Sequence, residues 1–198
     1  MKKFILFFLL IGTLSVSAQV LSPREQSVVI DEILAERINT LLPSLMQKSG
    51  IDMWVIMSRE YNEDPVLKTF LPSTWLSARR RTIIVFYYDS TKKAFDKLAI
   101  GRYDVGETIK SSWDTKKFPD QWDALIDIIN TRNPKKIGIN TSRVFGHADG
   151  LDHSSTIVFG KVFWTGPKLC VVITLPGLMV RIAANPVPLH PDCVPPYP

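Results

Sequence analysis

Cysteine is scarce, with Cys170 and Cys193 the only two in 198 residues. That excludes both a disulfide-stapled mini-protein and a four-cysteine zinc site. There is no Gly-rich phosphate loop, no HExxH and no G-x-S-x-G, and nothing supports a hydrolytic triad. No internal period recurs, which removes solenoids and coiled coils. What is present is 45% hydrophobic and 22% charged sequence, enough for one domain with a real core. The net charge of +5 is unevenly placed. Between Gln19 and His153 there are 19 Lys and Arg against 18 Asp and Glu, so the body is nearly neutral. A nucleic-acid partner needs clustered cations, so none is expected.

Residues 1–18 have the three parts of a signal peptide. Lys2 and Lys3 form a positive start, Phe4 to Leu14 an apolar core of 11 residues, and Val16-Ser17-Ala18 a small-residue cleavage site before Gln19. A bilayer-spanning helix needs about 20 residues, so a cleaved leader is expected rather than a stable membrane anchor. The mature chain is therefore read as exported, to the periplasm or the extracellular space.

Residues 19–153 alternate helical and strand patterns. Ser22-Pro23-Arg24-Glu25 reads as a capping box with proline at the first helical position. Ile30, Leu34, Ile38, Leu41 and Leu45 follow at helical spacing, Pro43 should kink or interrupt that helix, and Gly50 should cap it. Met53–Met57, Thr82–Tyr88, Lys97–Gly101 and Lys136–Asn140 read as strands, and Gln121–Arg132 as a helix stopped by Asn133-Pro134. The order α-β-β-β-α-β predicts an α/β domain, a mixed sheet with helices on its faces.

Residues 154–198 differ sharply. They hold four charged residues, no glutamate and eight of the 14 prolines. Leu169 to Leu175 is a strand candidate, but six prolines between Asn185 and Pro198 exclude regular structure there. This segment reads as an irregular, low-charge, Pro-rich tail of foreign character, as a truncation or a reading-frame change would produce.

Gly50-Ile51-Asp52-Met53-Trp54-Val55-Ile56, then Ser58 to Pro65 (SREYNEDP), resembles the start of secreted Xaa-Pro aminopeptidase-like proteins of the creatinase/prolidase superfamily. Ser77 to Thr82 and Phe145 to Leu151 are similar to the same N-terminal domain, so the resemblance runs from about Leu21 to His153. It implies a creatinase-type N-terminal fold with a ribonuclease-H-like motif. It also implies that the chemistry belongs to a following pita-bread domain. There two Asp, one His and two Glu hold two divalent metals such as Mn, Co or Zn. After Asp152 this chain has one Asp (Asp192), no Glu, and His153 and His190 only, so no catalytic, cofactor-binding or metal-ligating residue carries over. The expected role is to shape substrate access and oligomer contacts, with a catalytic domain or further copies as partners, and to be inactive alone on peptides. A stand-alone exported binding module on the same scaffold is the alternative.

Four constellations remain. His147, Asp149, Asp152 and His153 form the densest ligand-like cluster, although Gly146 and Gly150 favour a solvated turn. Arg79-Arg80-Arg81 could meet an anion, or else point to solvent or pair with Glu60, Glu63 and Asp64. Trp54 and Trp122 are expected in the core, with Trp75 as an interface anchor. Cys170 and Cys193 would pair only if the fold brings their Cα atoms within about 7 Å.

Overall fold

The computed structural model describes residues 20–61, 63–141, 169–174 and 179–183. Helix α1 (Pro23–Glu36) begins with the expected reciprocal cap. The Ser22 hydroxyl accepts from the Glu25 amide, and the Glu25 carboxylate accepts from the Ser22 amide at 2.9 Å. That exposed carboxyl is held below its ordinary range by the Ser22 hydroxyl first and the Ser22 amide second. The next five residues, Arg37–Leu41, form a π-helical turn, and α2 (Leu42–Ser49) follows with Pro43 in its first turn. Pro43 has no amide proton and crowds the turn before it. Here the widened turn, in which the Leu42 amide reaches back to the Arg37 carbonyl, accommodates it. Gly50 closes α2 in the left-handed region, φ 63°.

The π turn changes the buried stripe. An unbroken α-helix would bury Ile30, Leu34, Ile38, Leu41 and Leu45. The structure buries Leu34, Ile38, Leu42 and Met46 and leaves Ile30, Leu41 and Leu45 exposed. A step of four overshoots an α-helical turn by about 40°. The wider π turn takes back part of that drift, so steps of four stay on the core.

Strands β1 (Met53–Arg59), β2 (Arg81–Asp89), β3 (Ala94–Ile100), β4 (Lys110–Ser111), β5 (Lys136–Thr141), β6 (Leu169–Thr174) and β7 (Met179–Ala183) form one mixed sheet in the order β4-β3-β2-β1-β5-β6-β7. β1 runs antiparallel to β2, with Met53 opposite Tyr87, and parallel to β5, with Met53 beside Ile137. Between β1 and β2 lies the short α3 (Pro65–Lys68), and α4 (Gln121–Arg132) precedes β5. The expected α/β architecture is present. β3 starts three residues earlier than its apolar pattern suggested. The turn before it holds Asp89, whose carboxylate accepts from the Thr91 and Lys92 amides, and Lys93 at φ 52°.

Alternation along the strands splits the core in two. Ile56, Ile84, Phe86 and Ala99 pack toward α1 and α2; Met53, Val55, Met57, Ile83, Val85 and Ile100 pack toward α4. Each face of the sheet is thus covered by helix.

The tail expectation needs correction. Residues 154–198 are not irregular throughout, because β6 lies parallel to β5, Ile137 beside Cys170, and β7 pairs antiparallel with β6. A continuous low-charge run such as Leu169–Thr174 suits a strand inside a sheet.

Candidate functional site

In open α/β sheets, crevices for ligands form at the carboxyl ends of parallel strands where the strand order changes direction. Here β2 leaves β1 on one side and β5 joins it on the other, so the ends of β1 and β5 are that place. They bring together Trp54, Ser58, Asp64 and Asn140. The Trp54 indole N–H donates to Asn140 Oδ1 at 2.9 Å, and Asn140 Nδ2 donates to Asp64 Oδ2 at 2.6 Å. Asp64 Oδ1 accepts from the Val66 amide at 2.8 Å, capping α3, while the Asp64 amide donates to Ser58 Oγ at 2.8 Å. Ser58, Asp64 and Asn140 are all buried, Asp64 completely.

The direction of each bond is dictated. An indole only donates, so Asn140 must present its oxygen to Trp54 and its amide nitrogen to Asp64. Both Asp64 oxygens are thereby acceptors. Burial pushes the Asp64 carboxyl above its ordinary value, against the opposing pull of the Asn140 amide and then the Val66 amide. With both oxygens occupied and no exposed surface, Asp64 ties the segment after β1 to the end of β5 and offers no base to a substrate. Asn140 was not singled out in the sequence. The available signal was an amide two residues beyond Gly138, the register partner of Trp54, and so on the same face of the sheet.

Beside this tie, the chain turns twice through the left-handed region without glycine, at Tyr61 (φ 68°) and Arg80 (φ 52°). The Glu60 amide donates to the Arg80 carbonyl, and the Arg80 amide donates to Glu60 Oε2 at 3.1 Å. Arg79 lies over the Trp75 ring at 4.7 Å and Arg81 over the Trp122 ring at 4.9 Å. Among the described residues the pairing with acids is found at Glu60, through the Arg80 backbone, while Asp64 faces inward to Asn140. Trp122 is buried and Trp54 packs against the core, as expected. Trp75 also packs against the core, under Arg79, and it is Leu76, 94% exposed, that the loop presents to solvent.

At the other end of the sheet, an open recess of about 390 Å³ is lined by Tyr87, Asp89, Lys92, Ala94, Asp96, Thr131 and Arg132. Its charges are mutually satisfied, Arg132 Nε with Asp96 at 2.8 Å and Lys92 with Asp89 at 3.7 Å. The Tyr87 hydroxyl donates to the Arg132 carbonyl at 3.1 Å. Burial, then Asp89 and Asp52, push that phenol upward, so it stays protonated at neutral pH.

Among the described residues no three His, Cys, Asp or Glu side chains gather closely enough to hold a metal ion, and no helix is long and apolar enough to cross a membrane. The leader, the His147–His153 cluster and Cys193 lie outside the described residues, and Cys170 stands opposite Ala183 in the β6–β7 ladder. Comparison with protein-family models, curated proteins and solved structures finds no match to this chain.

Proposed function

We propose that this chain is an exported, non-catalytic N-terminal domain of the Xaa-Pro aminopeptidase-like, creatinase-type class, a scaffold inactive by itself on peptides. One observation carries the reading. Three side chains of the motif that bears the resemblance are spent on internal ties: Ser58 accepts from the Asp64 amide, Asp64 accepts from Asn140 and caps α3, and Trp54 donates to Asn140. A segment used this way positions a fold and does no chemistry. In such a class two divalent metals sit in a separate domain that supplies the carboxylates.

The test has two arms. Purified chain is incubated with Mn, Co or Zn and an Xaa-Pro dipeptide, and release of the N-terminal residue is followed. No turnover is expected; turnover that follows the protein through purification and is lost on chelation overturns the reading. A separately produced pita-bread domain is then titrated with the chain. Association together with a change in cleavage supports the scaffold, and absence of both favours the rival, a stand-alone exported interaction module. An exposed apolar stripe on α1 and α2 is the observation on that rival's side.

A further inference from the structure

The helical segment α1–π turn–α2 has more apolar surface than the core covers. Leu34, Ile38, Leu42 and Met46 are buried, yet a second line, Val29, Ile33, Leu41 and Leu45, is 39–49% exposed. Each member of that line from Ile33 onward sits one position before a buried residue, so the two stripes run side by side. Position 37 completes the spacing of four, and it holds Arg37, whose guanidinium is turned away to donate to the Thr69 carbonyl. Contiguous exposed apolar surface of this kind marks an association site.

From this pattern we infer that the stripe is an isologous interface, where α1–α2 pairs antiparallel with the same segment of a second copy about an axis at Arg37. Two features select that occupant. The first is symmetry. A two-fold interface requires each residue to meet a partner that meets it in return. Val29 and Leu45 lie eight positions on either side of Arg37, and Ile33 and Leu41 lie four. An antiparallel pair centred there sets Val29 on Leu45 of the partner subunit and Ile33 on Leu41 of the partner subunit, each twice. The second is charge. Residues 23–36 carry Glu25, Asp31, Glu32 and Glu36 against Arg24, Arg37 lies on the axis itself, and residues 38–49 carry only Lys48. Antiparallel pairing sets the acidic half on the basic half, and parallel pairing would set like on like. The π turn has a part in this, because it keeps steps of four close to one line across the centre.

Self-pairing needs nothing from the family reading, so each can fail without the other. The segment is about 40 Å long, and one helix face of that length falls at the small end of specific interfaces. A reversible dimer with a dissociation constant on the order of 10 µM is expected. Sedimentation equilibrium of the full chain from about 1 to 200 µM should show monomer passing to dimer, and Ile33→Glu or Leu41→Glu should weaken association at least about tenfold. Leu76→Glu, exposed elsewhere, should leave it unchanged. A monomer at every concentration, or dimers indifferent to Ile33→Glu, overturns the inference; it would mean that another segment or another protein covers the stripe.

Orientation is tested separately, in a chain with Cys170→Ser and Cys193→Ser. Under mild oxidation, Ile33→Cys mixed with Leu41→Cys should cross-link at least about tenfold faster than either alone, since like positions stand about 12 Å apart along the axis. Equal rates in all three samples, or faster linkage of Ile33→Cys to itself, overturns the antiparallel arrangement. Circular dichroism of each variant confirms that it is folded before either result is read.

Discussion

The two faces of the sheet solve the same problem differently. Toward α4 the buried side chains are aliphatic apart from Trp122, with Tyr87, Trp113 and Phe118 packed at the margin, and one helix of 12 residues buries Ala124, Leu125, Ile128 and Ile129 against β1, β2, β3 and β5. Toward α1 and α2 a cluster of rings lies within an aliphatic core. Phe86 stacks on Phe95 at 5.9 Å, meets Phe70 at 5.0 Å and lies 6.4 Å from Trp54, and the helices above use only part of their apolar surface. The α4 face is tied at its margin by the Tyr87 hydroxyl on the Arg132 carbonyl and the Gln121 amide on the Arg81 and Ile100 carbonyls. The α1–α2 face combines ring packing, a polar tie at its edge and an apolar stripe left over.

Breaking the aromatic face should have the largest effect. Phe86→Ala removes the ring shared by three aromatic contacts and should cost about 4 kcal/mol in denaturant unfolding. On the other face, Leu125→Ala, at a fully buried aliphatic site, should cost about 3 kcal/mol. If Leu125 proves the costlier of the two, the contrast between the faces is mistaken.

The polar tie comes next. Asn140→Ala leaves the Trp54 N–H and one Asp64 oxygen unpaired in the interior and should cost about 2 kcal/mol. It should also shift the Trp54 emission. Asp64 further predicts a pH dependence. Burial raises its folded-state pKa above the ordinary value of 3.8, so the folded chain holds the proton more tightly than the unfolded chain. The resulting stabilisation is fully present below pH 3.8 and fades as pH rises through the folded-state value. Asp64→Asn should remove that component, so the stability difference between wild type and variant should shrink with rising pH across this window; a difference that grows would reverse the assigned direction. The smallest effect belongs to the start of α1, where Ser22→Ala should cost about 1 kcal/mol.

Most of this frame can be read along the chain because it is local. The apolar runs Met53–Met57 and Thr82–Tyr88, the cap at Ser22 and the stop at Gly50 each depend on a few neighbouring residues. Three features were not legible. The buried helix stripe depends on a π turn that no periodicity of 3.6 anticipates. Asn140 acquires its role only from Trp54, 86 residues away. Met179–Ala183 is a strand because β6 is there to pair with it, and its own composition shows only low charge between prolines.

The parallel contact of β1 with β5 also sets an order of events for a chain delivered N-terminus first. The β2–β3 hairpin closes across a four-residue turn and needs nothing beyond Ile100. Closing a loop of 86 residues costs about 3 kcal/mol more in chain entropy than closing one of four. Until Lys136–Thr141 arrives, β1 has one edge unpaired, and the Trp54 indole and the Asp64 carboxylate lack the amide that joins them. An open edge bearing Met-Trp-Val-Ile-Met invites pairing with other chains. Chains cut short before residue 136 should therefore aggregate, and the open edge then passes to β5 until Leu169–Thr174 pairs with it.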